Sequence, residues 1–598
     1  MAYRAPVEDV SFFLKTCTSL PKLMEQGLVD LSFDVVDPVL EEAGKFASSV
    51  IEPLDRGADK EGCVLKDGAV TTPTGWKAAY ESWIEAGWNS VAAEEDFGGQ
   101  HLPTTVTSAL TEFWNTASPS FGIGGVLTQG AIEALTAHGS AELQKIYLEK
   151  MVSGVWTGTM NLTEPQAGSD LAALRAKAVK QADGTYRIFG TKIFITYGEN
   201  DLVENIVHLV LARLPDAPAG TKGISLFVVP KFLVNADGSL GARNDVFCTG
   251  IEHKLGLHGS PTCTMTFGDK GEGAIGYLVG EENRGLACMF TMMNNARLAV
   301  GIQGVSVAER ATQRAFAYAK ERRQGKAVGY TGEGMAPIIF HPDVKRMLLT
   351  MRASTDAARA ICLMTADAID RSRRLADPMA RASAHAEASV LTPVAKAFST
   401  DTGIEVASLG VQVHGGMGFI EETGAAQHYR DARIFAIYEG TNGIQAIDLV
   451  TRKLPLEGGD VATTLIADFR DIADEVHALE LPEFGRAGEK LAEAVDALGR
   501  ATRKQLDRLG EENQKALAGA APYLRLFALA AGGAYLAKAA LAAHRERSAG
   551  GTDPRLEARI AIARFFAENL CPLAKGLEEV VEGGHASLLE AESVLTLD

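Results

Sequence analysis

Ile206-Val207-His208-Leu209-Val210-Leu211 and Ile224-Ser225-Leu226-Phe227-Val228-Val229 are two short apolar runs near the middle of this 598-residue chain. Tyr186-Arg187-Ile188-Phe189-Gly190 and Thr262-Cys263-Thr264-Met265-Thr266-Phe267 are of the same kind, and Gly, Pro, Asn and Asp separate these runs. Short apolar or alternating runs bounded by turn-forming residues are typical of β-strands. We therefore predict a β domain over about residues 157–280.

The sequence on either side of this region has a helical period. Apolar residues recur at three- and four-residue spacing from residue 7 to about 156, and again in the long segments 289–323, 342–375 and 379–413. Residues 455–460 have the composition of a linker, and Ala/Glu/Leu-rich helical sequence follows. We predict an α+β, mainly α fold in four parts: an N-terminal helical domain (1–156), a central β-barrel-like domain (157–280), a C-terminal four-helix bundle (281–455) and an additional helical domain (456–598).

The composition excludes several classes of protein. The chain has 58 basic and 76 acidic residues, and its formal net charge of −18 repels nucleic acids and anionic membrane surfaces. Its seven cysteines lack the spacing of metal ligands, so we expect reduced cysteines and no metal site. Arg525 and Lys538 interrupt the most apolar stretch, 520–544, which predicts a buried helix pair rather than a membrane span. The start of the chain has no signal-peptide pattern, and we expect a cytoplasmic protein.

One carboxylate lies in an apolar setting in Ile437-Tyr438-Glu439-Gly440-Thr441-Asn442-Gly443-Ile444-Gln445. Because such a carboxylate is costly to ionise, its pKa rises and it can take a proton from a weak carbon acid. In this interpretation Glu439 is a catalytic base. The alternative is a loop glutamate in water, with Thr441 capping a helix that begins near Asn442.

Three further segments precede this one in a fixed order: Leu162-Thr163-Glu164-Pro165-Gln166-Ala167-Gly168-Ser169-Asp170, Lys192-Ile193-Phe194-Ile195-Thr196 and Gln412-Val413-His414-Gly415-Gly416-Met417-Gly418. Together the four segments resemble the acyl-CoA dehydrogenases over roughly residues 40–455. The resemblance implies FAD as cofactor, a homodimer or higher homo-oligomer, and an electron-transfer flavoprotein as electron acceptor. The tail from about residue 456 lies outside these motifs. Together with Arg322-Arg323-Gln324-Gly325 and Tyr438-Glu439-Gly440-Thr441-Asn442-Gly443, this long C-terminal extension resembles the larger bacterial branch that includes the 3-methylmercaptopropionyl-CoA dehydrogenases.

The first two motifs are implied to hold the flavin ring. A turn through Gly-Ser-Asp offers backbone N–H groups and hydroxyls to a polar ring edge. Phe194 stands where the family usually has Trp. The alternative is a structural turn followed by an ordinary β-bulge. By this resemblance the ring-binding residues are Leu162, Thr163, Gly168, Ser169, Phe194 and Thr196.

The remaining flavin contacts are implied to reach the diphosphate and adenosine. Arg322 and Gln324 match the family, although the Phe that normally follows is missing, and a guanidinium can fork onto a diphosphate. Gln412, Gly415 and Gly416 match a segment contributed by the neighbouring subunit, where glycines allow close approach. A lone Gly-Gly turn is the structural alternative. Thr441 matches a further phosphate contact, but Gly443 replaces the usual Gln or Glu.

The resemblance also implies the substrate site. Some family branches place the base at the position of Ala296, and alanine cannot abstract a proton, which leaves Glu439. The backbone N–H of Glu439 and a flavin ribityl hydroxyl are implied to bind the thioester oxygen. For Arg297 the alternative is a salt-bridged core arginine. The implied substrate-binding residues are Ser169, Asn294, Arg297, Tyr438 and Gly440.

The predicted activity is therefore FAD-dependent α,β-dehydrogenation of an acyl-CoA thioester, with hydride transfer to flavin N5. The substrate is 3-methylmercaptopropionyl-CoA or a short- or medium-chain acyl-CoA. An acyl-CoA oxidase is one alternative. A non-desaturating DNA-binding relative is another, which the acidic composition disfavours. We expect no integral membrane association, and the tail is an added helical layer or, alternatively, a regulatory or partner-binding module.

Overall fold

Residues 3–597 are described by the computed structural model, apart from the side chain of Asn294. The chain divides into two units. The sheet unit contains Lys45–Pro103 and Ala117–Ala296, and the helical unit contains the residues up to Gly44, Thr104–Thr116 and the chain from Arg297 onward. The four-domain division is a finer partition than these two units and stays a prediction.

Helices dominate the chain, which confirms the mainly α character predicted from the sequence. In chain order they are α1 (Val7–Thr16), α2 (Leu20–Glu25), α3 (Phe33–Phe46), α4 (Glu52–Glu61), α5 (Trp76–Glu85), α6 (Thr104–Ala117), α7 (Pro119–His138), α8 (Ala141–Val152), α9 (Gly285–Glu321), α10 (Pro342–Arg374), α11 (Pro378–His414), α12 (Ala425–Ala432), α13 (Asn442–Asp448), α14 (Asp460–Ala478), α15 (Ala487–Arg508), α16 (Asn513–Ala518), α17 (Ala520–Ser548), α18 (Pro554–Asn569), α19 (Leu573–Gly583), α20 (His585–Leu589) and α21 (Glu592–Leu595).

The strands lie in the sheet unit. They are β1 (Val64–Lys66), β2 (Ala69–Thr71), β3 (Trp156–Asn161), β4 (Lys177–Lys180), β5 (Tyr186–Thr196), β6 (Asn205–Arg213), β7 (Ile224–Pro230), β8 (Phe232–Val234), β9 (Leu240–Arg243), β10 (Val246–Ile251), β11 (Thr262–Phe267) and β12 (Ala274–Val279). The hairpin of β1 and β2 lies within the N-terminal region, for which the sequence predicts a helical domain. Asp67 and Gly68, both with positive φ, form its turn, and this Asp-Gly pair is the signal that marks such hairpins.

The large sheet is mostly antiparallel and partly closes on itself. Its strand order is β10-β11-β5-β12-β7-β6-β3, and β4 pairs with both β5 and β6. Strands β5, β12, β7, β6 and β4 therefore form a closed ring, which confirms the barrel-like character. Both faces of the central strands are buried, as shown by the neighbouring residues Phe227 and Val228 on β7, and α7 and α8 pack against β3 at one edge.

In the helical unit, α10 and α11 pack along each other, and α17 packs against both. Helix α17 also contacts α13, α14, α15, α18 and α19, so it lies at the centre of the C-terminal helices. The sequence predicted a buried helix pair over 520–544, whereas the structure has one continuous helix, because Arg525 and Lys538 reach polar partners at its edge without breaking it.

Helix α17 is also the one helix, within residues 3–597, whose length and apolar composition suit a membrane span. Of its most apolar window, 89% is buried inside the protein, as in the core helix of a folded domain. All seven cysteines are free, as predicted, and Cys63 alone among them is not fully buried.

Candidate active site

In the sheet unit, a buried ion pair joins the first two predicted motifs. The Lys192 Nζ atom on β5 donates to the Leu162 carbonyl at 3.0 Å and to Glu164 Oε1 at 2.8 Å. The backbone N–H of Ile193 donates to the Thr163 carbonyl at 2.9 Å. The turn after β3 is thus fixed against the end of β5, and the residues predicted to contact the flavin ring lie on these two adjoining segments.

Glu164 is the anchor of this turn. Its carboxylate also accepts hydrogen bonds from the backbone N–H groups of Arg175 at 2.7 Å and Ala176 at 3.0 Å. The side chains of Lys192 and Glu164 are 0% and 4% exposed. Burial opposes ionisation of Glu164, but the Lys192 ammonium and the two N–H donors outweigh it and hold the pKa of Glu164 below its ordinary value. Burial lowers the pKa of Lys192 to about 8, although Glu164 opposes the shift. Neither residue was predicted as functional, although both lie in the quoted motifs.

Phe194 is presented to the surface by a bulge. The register of β5 against β11 shifts between Lys192 and Ile195, and the φ of Phe194 is +60°. A left-handed backbone is unusual for an aromatic residue, and the side chain is 57% exposed. The predicted bulge is thus present. Of the other predicted ring contacts, Leu162, Thr163 and Thr196 are half-buried, and Gly168 and Ser169 are exposed on the turn.

In the helical unit, Glu439 lies on a left-handed turn just before α13. The φ angles of Glu439 and Gly440 are +54° and +82°. Gln445 Nε2 donates to the Glu439 carbonyl at 3.0 Å, and Lys396 Nζ donates to the Gly440 carbonyl at 3.0 Å. Thr441 is the N-cap of α13, and its hydroxyl accepts from the Ile444 N–H at 3.3 Å. The cap predicted in the alternative interpretation is therefore present, together with a strained backbone at the glutamate.

Two cations lie near the Glu439 carboxylate without pairing with it in the described structure. Burial raises the pKa of Glu439, and the charges of Arg297 and Lys396 offset only part of this rise. Burial also lowers the pKa of Lys396 to about 7. Arg297 forms its ion pair with Asp448 at 3.2 Å, which is the core salt bridge predicted as the alternative for this residue. The carboxylate thus keeps the raised pKa that a base requires.

The hydroxyl of Tyr438 points to a polar group of the helical core. It donates to Gln303 Oε1, and Gln303 Nε2 donates to Asn115 Oδ1 at 3.0 Å. The Tyr438 ring stacks on Phe435 with centroids 6.0 Å apart. By contrast, the Glu439 N–H has no hydrogen-bond acceptor among residues 3–597. The backbone at Glu439 therefore offers a donor that no acceptor occupies in the described part of the chain.

The residues predicted to contact the diphosphate are exposed. Arg322 follows α9, and its guanidinium contacts Gln324 Oε1 at 3.4 Å but pairs with no carboxylate in the described part of the chain. Gly415 and Gly416 follow α11, and a side chain added at either would meet nothing within 4 Å. Gln412 is exposed one helical turn earlier. Asn294 was predicted to bind substrate, but its side chain lies outside the described residues.

Family models match almost the whole chain. They describe the N-terminal domain of acyl-CoA dehydrogenase over residues 37–155, the middle domain over 159–270 and the C-terminal domain over 283–454. A further model, described as acetyl-CoA dehydrogenase C-terminal like, matches 465–592. The tail that the sequence motifs did not reach therefore has relatives of its own.

Individual proteins agree with these models. The chain is 47% identical to the 3-methylmercaptopropionyl-CoA dehydrogenase of Ruegeria pomeroyi over 95% of this chain and 96% of the relative. Its fold is similar to Caenorhabditis elegans ACDH-11 in complex with C11-CoA (TM-score 0.78, 21% identity, 98% and 96% of the chains covered). It is also similar to a Bacillus anthracis acyl-CoA dehydrogenase complexed with FAD (TM-score 0.71, 20% identity, 100% and 96% covered). The chain therefore belongs to the acyl-CoA dehydrogenase family and is an oxidoreductase of that family.

Proposed function

We propose that this protein catalyses the α,β-dehydrogenation of an acyl-CoA thioester with Glu439 as the base. The observation that carries the proposal is the Glu439 turn: a carboxylate with a raised pKa, without an ion-pair partner in the described structure, beside an unused backbone donor. A carboxyl group of this kind suits proton abstraction next to a carbonyl. Membership of the family supports the same reaction.

Acyl-CoA dehydrogenases use FAD, which when bound accepts a hydride from the substrate Cβ. The residues of this chain fit that group. Phe194 offers an exposed aromatic face, Arg322 has a guanidinium without a carboxylate partner among the described residues, and Gly415 and Gly416 adjoin open space. We propose that the ring-binding residues are Leu162, Thr163, Gly168, Ser169, Phe194 and Thr196, and that Arg322, Gln324, Gln412, Gly415, Gly416 and Thr441 hold the rest of FAD.

The proposed chemistry of the protein itself has two parts. The Glu439 carboxylate removes the proton from Cα, and the Glu439 N–H donates to the thioester oxygen as negative charge develops there. The raised pKa makes the carboxylate basic enough to accept the proton, while Lys396 and Arg297 limit the rise. Ser169, Arg297, Tyr438 and Gly440 are proposed to shape the substrate site, with Asn294.

The proposed substrate is 3-methylmercaptopropionyl-CoA or an acyl-CoA of about four to eight carbons. The 47% identity with the Ruegeria pomeroyi enzyme over nearly both whole chains supports the first. We further propose a homodimer or higher homo-oligomer in which the Gln412 segment serves the neighbouring subunit, electron transfer to an electron-transfer flavoprotein, and a cytoplasmic location. The four-domain division is proposed with it, since β3 begins at Trp156, β12 ends at Val279 and α14 begins at Asp460.

Anaerobic mixing of Glu439→Gln with a panel of acyl-CoA esters tests the proposal. Bleaching of the flavin reports its reduction directly. The variant should bind FAD and acyl-CoA but reduce its flavin at least about 10²- to 10⁴-fold more slowly, as is typical of the loss of a general base. Glu457 is a matched control, because it is an exposed glutamate that also has a left-handed backbone, and Glu457→Gln should react normally. Near wild-type reduction by Glu439→Gln would refute the role of Glu439.

The Glu439→Gln variant should also remain folded. The pKa of Glu439 is higher in the folded protein than in the unfolded chain. Above this raised pKa the carboxyl group is ionised in both states, and ionisation is less favourable in the folded state than in the unfolded chain. The carboxyl group therefore lowers the stability of the folded protein at neutral pH. Glutamine removes that cost, and the melting temperature should be equal to or higher than that of the wild type. A lower melting temperature with lost FAD would mean that Glu439 has a structural role instead.

A further inference from the structure

Lys396 is a fully buried lysine on α11 that the predicted chemistry does not use. It is 0% exposed, and its amine donates to the Gly440 carbonyl at 3.0 Å and to Asn442 Oδ1 at 2.9 Å. Both hydrogen-bond acceptors are neutral, and a buried ammonium group without a direct ion pair is expensive. A hydrocarbon side chain of the same volume would fill the space at lower cost. Both acceptors of the amine lie on the segment that follows Glu439.

Asn442 holds its amide in one orientation. Its Nδ2 atom donates to Asp401 Oδ1 at 2.7 Å and also lies 3.0 Å from Thr400 Oγ1 and 3.2 Å from the Ala397 carbonyl. With the nitrogen committed to α11, the oxygen must face Lys396. The amine thus finds a fixed acceptor on one side and the Gly440 carbonyl on the other. Three side chains of α11 and α13 together clamp the turn that carries Glu439.

We propose that Lys396 is a positioning residue for Glu439, held by Asn442 and Asp401, and that the C-terminal helices support this clamp through Arg525. The inference rests on the proposed role of Glu439 as the base. The clamp fixes the backbone of a turn with two consecutive left-handed residues. It also places near the carboxylate an amine that is positively charged below its pKa of about 7 and does not pair with Glu439.

Arg525 connects the C-terminal helices to the same stretch of α11. From α17, its guanidinium forks onto Glu405 with distances of 2.9 and 2.8 Å and lies over the Phe398 ring at 5.3 Å from the centroid. Its charge also acts on Asp401, the acceptor that orients Asn442. Helix α17 contacts α13 as well. The additional helical segment therefore contacts both helices that hold the Glu439 turn, α11 through Arg525 and α13 through the packing of α17.

The charges around Glu439 set the direction of the expected pH effect. Both Arg297 and Lys396 lower the pKa of Glu439 against the larger effect of burial. Below about pH 7, where Lys396 is protonated, loss of its charge should therefore raise the apparent pKa for flavin reduction. A purely structural defect would slow the reaction equally at every pH. The charged groups that face this site are Arg297 from α9, Lys396 and Asp401 from α11, Asp448 from α13, Arg452 and Lys453 after it, and Arg525 from α17.

Lys396→Met tests the clamp, with flavin reduction measured anaerobically across pH in the FAD-loaded enzyme, using the acyl-CoA that bleaches the wild type fastest. Because a displacement of about 1 Å can cost about 10²-fold, we expect reduction to slow by about 10- to 100-fold while FAD stays bound. The apparent pKa should move upward. An unchanged rate and pH profile would overturn the proposal.

Two further variants keep the proposal testable if Lys396→Met does not fold. Asn442→Ala removes the acceptor that fixes the amine and should slow reduction by about tenfold. Arg525→Met should slow it by about two- to fivefold, since its ion pair is partly exposed. Arg545→Met is the matched control on α17, because Arg545 pairs with Glu475 at the surface, and it should react normally. If Arg525→Met and Arg545→Met reduce flavin at the same rate, the proposed support of the clamp by the C-terminal helices is refuted.

Glu439→Gln, measured alongside, separates the two levels of inference. If that variant reduces its flavin normally, the proposed function fails, whatever Lys396→Met does. If Glu439→Gln is inactive and the Lys396 and Asn442 variants are indistinguishable from the wild type, the clamp alone is refuted.

Discussion

Gly440→Ala should impair catalysis far more than its cost in stability suggests. The φ of Gly440 is +82°, and an added Cβ would lie 2.9 Å from Gln445 Nε2. Left-handed backbone costs a residue with a Cβ about 1–2 kcal/mol. The contact is a separate effect, because ordinary van der Waals contact needs a greater distance and the Gln445 side chain must therefore move.

Movement of Gln445 releases the Glu439 turn. Its Nε2 atom donates to the Glu439 carbonyl at 3.0 Å and lies 3.3 Å from the Gly440 carbonyl. The side chain is fully buried, so it cannot replace these hydrogen bonds with water. Loss of one such bond costs about 1 kcal/mol, which brings the total to about 2–3 kcal/mol. A shift of the carboxylate by a substantial fraction of an ångström should slow flavin reduction by about 10- to 100-fold.

Gly458→Ala is the matched control for this experiment. Gly458 has a φ of +73° and is exposed, and an added Cβ there would meet nothing within 4 Å. It therefore has the same backbone cost without the contact. Melting temperature, FAD content and the rate of anaerobic flavin reduction are measured for both variants. If the two alanine variants reduce flavin at the same rate, Gln445 does not position Glu439 and the reasoning fails.

Two further predictions concern the proposed cofactor site. Lys192→Met leaves the buried Glu164 carboxylate with only its N–H donors, so we expect the free energy of unfolding to fall by about 3 kcal/mol. The measurements are the melting temperature, which should be lower, and FAD retention, which should be weaker. Lys180→Met, which breaks an exposed pair with Glu282, should leave both nearly unchanged, and equal effects of the two variants would contradict the buried role. Arg322→Ala should lower FAD occupancy and weaken the oligomer together, as shown by absorbance and sedimentation. A fully flavinated monomer would count against the shared cofactor site.

The fold class was predictable because the spacing of apolar residues along the sequence differs between strands and helices. The apolar runs at 206–211 and 224–229 lie in β6 and β7, and the long helical segments correspond to α9, α10 and α11. Capping residues also indicated where helices begin, as Thr441 does for α13. These signals are local, and each depends on residues that are close together in the chain.

The supports of the site were not predictable for the opposite reason. Lys396 lies 44 residues before Gly440, and Lys192 lies 28 residues after Glu164, as the separations of their hydrogen-bonded atoms show. No periodicity connects such pairs, and a lysine in an Ala-rich helix reads as a solvated charge until its burial is known. The single helix α17 was missed because composition cannot show that a charged residue finds a partner at the edge of a buried helix.

The arrangement of charges around Glu439 also fits its proposed role as the base. A direct pair with Arg297 would lower its pKa and turn it away from a substrate. Asp448 prevents this, because it binds Arg297 at 3.2 Å and Arg452 at 2.6 Å. Lys396 is likewise bound to carbonyl oxygens rather than to the carboxylate. Each cation thus limits the rise in the pKa of Glu439 through space, while its hydrogen bonds are made elsewhere and the carboxylate oxygens stay available for the proton at Cα.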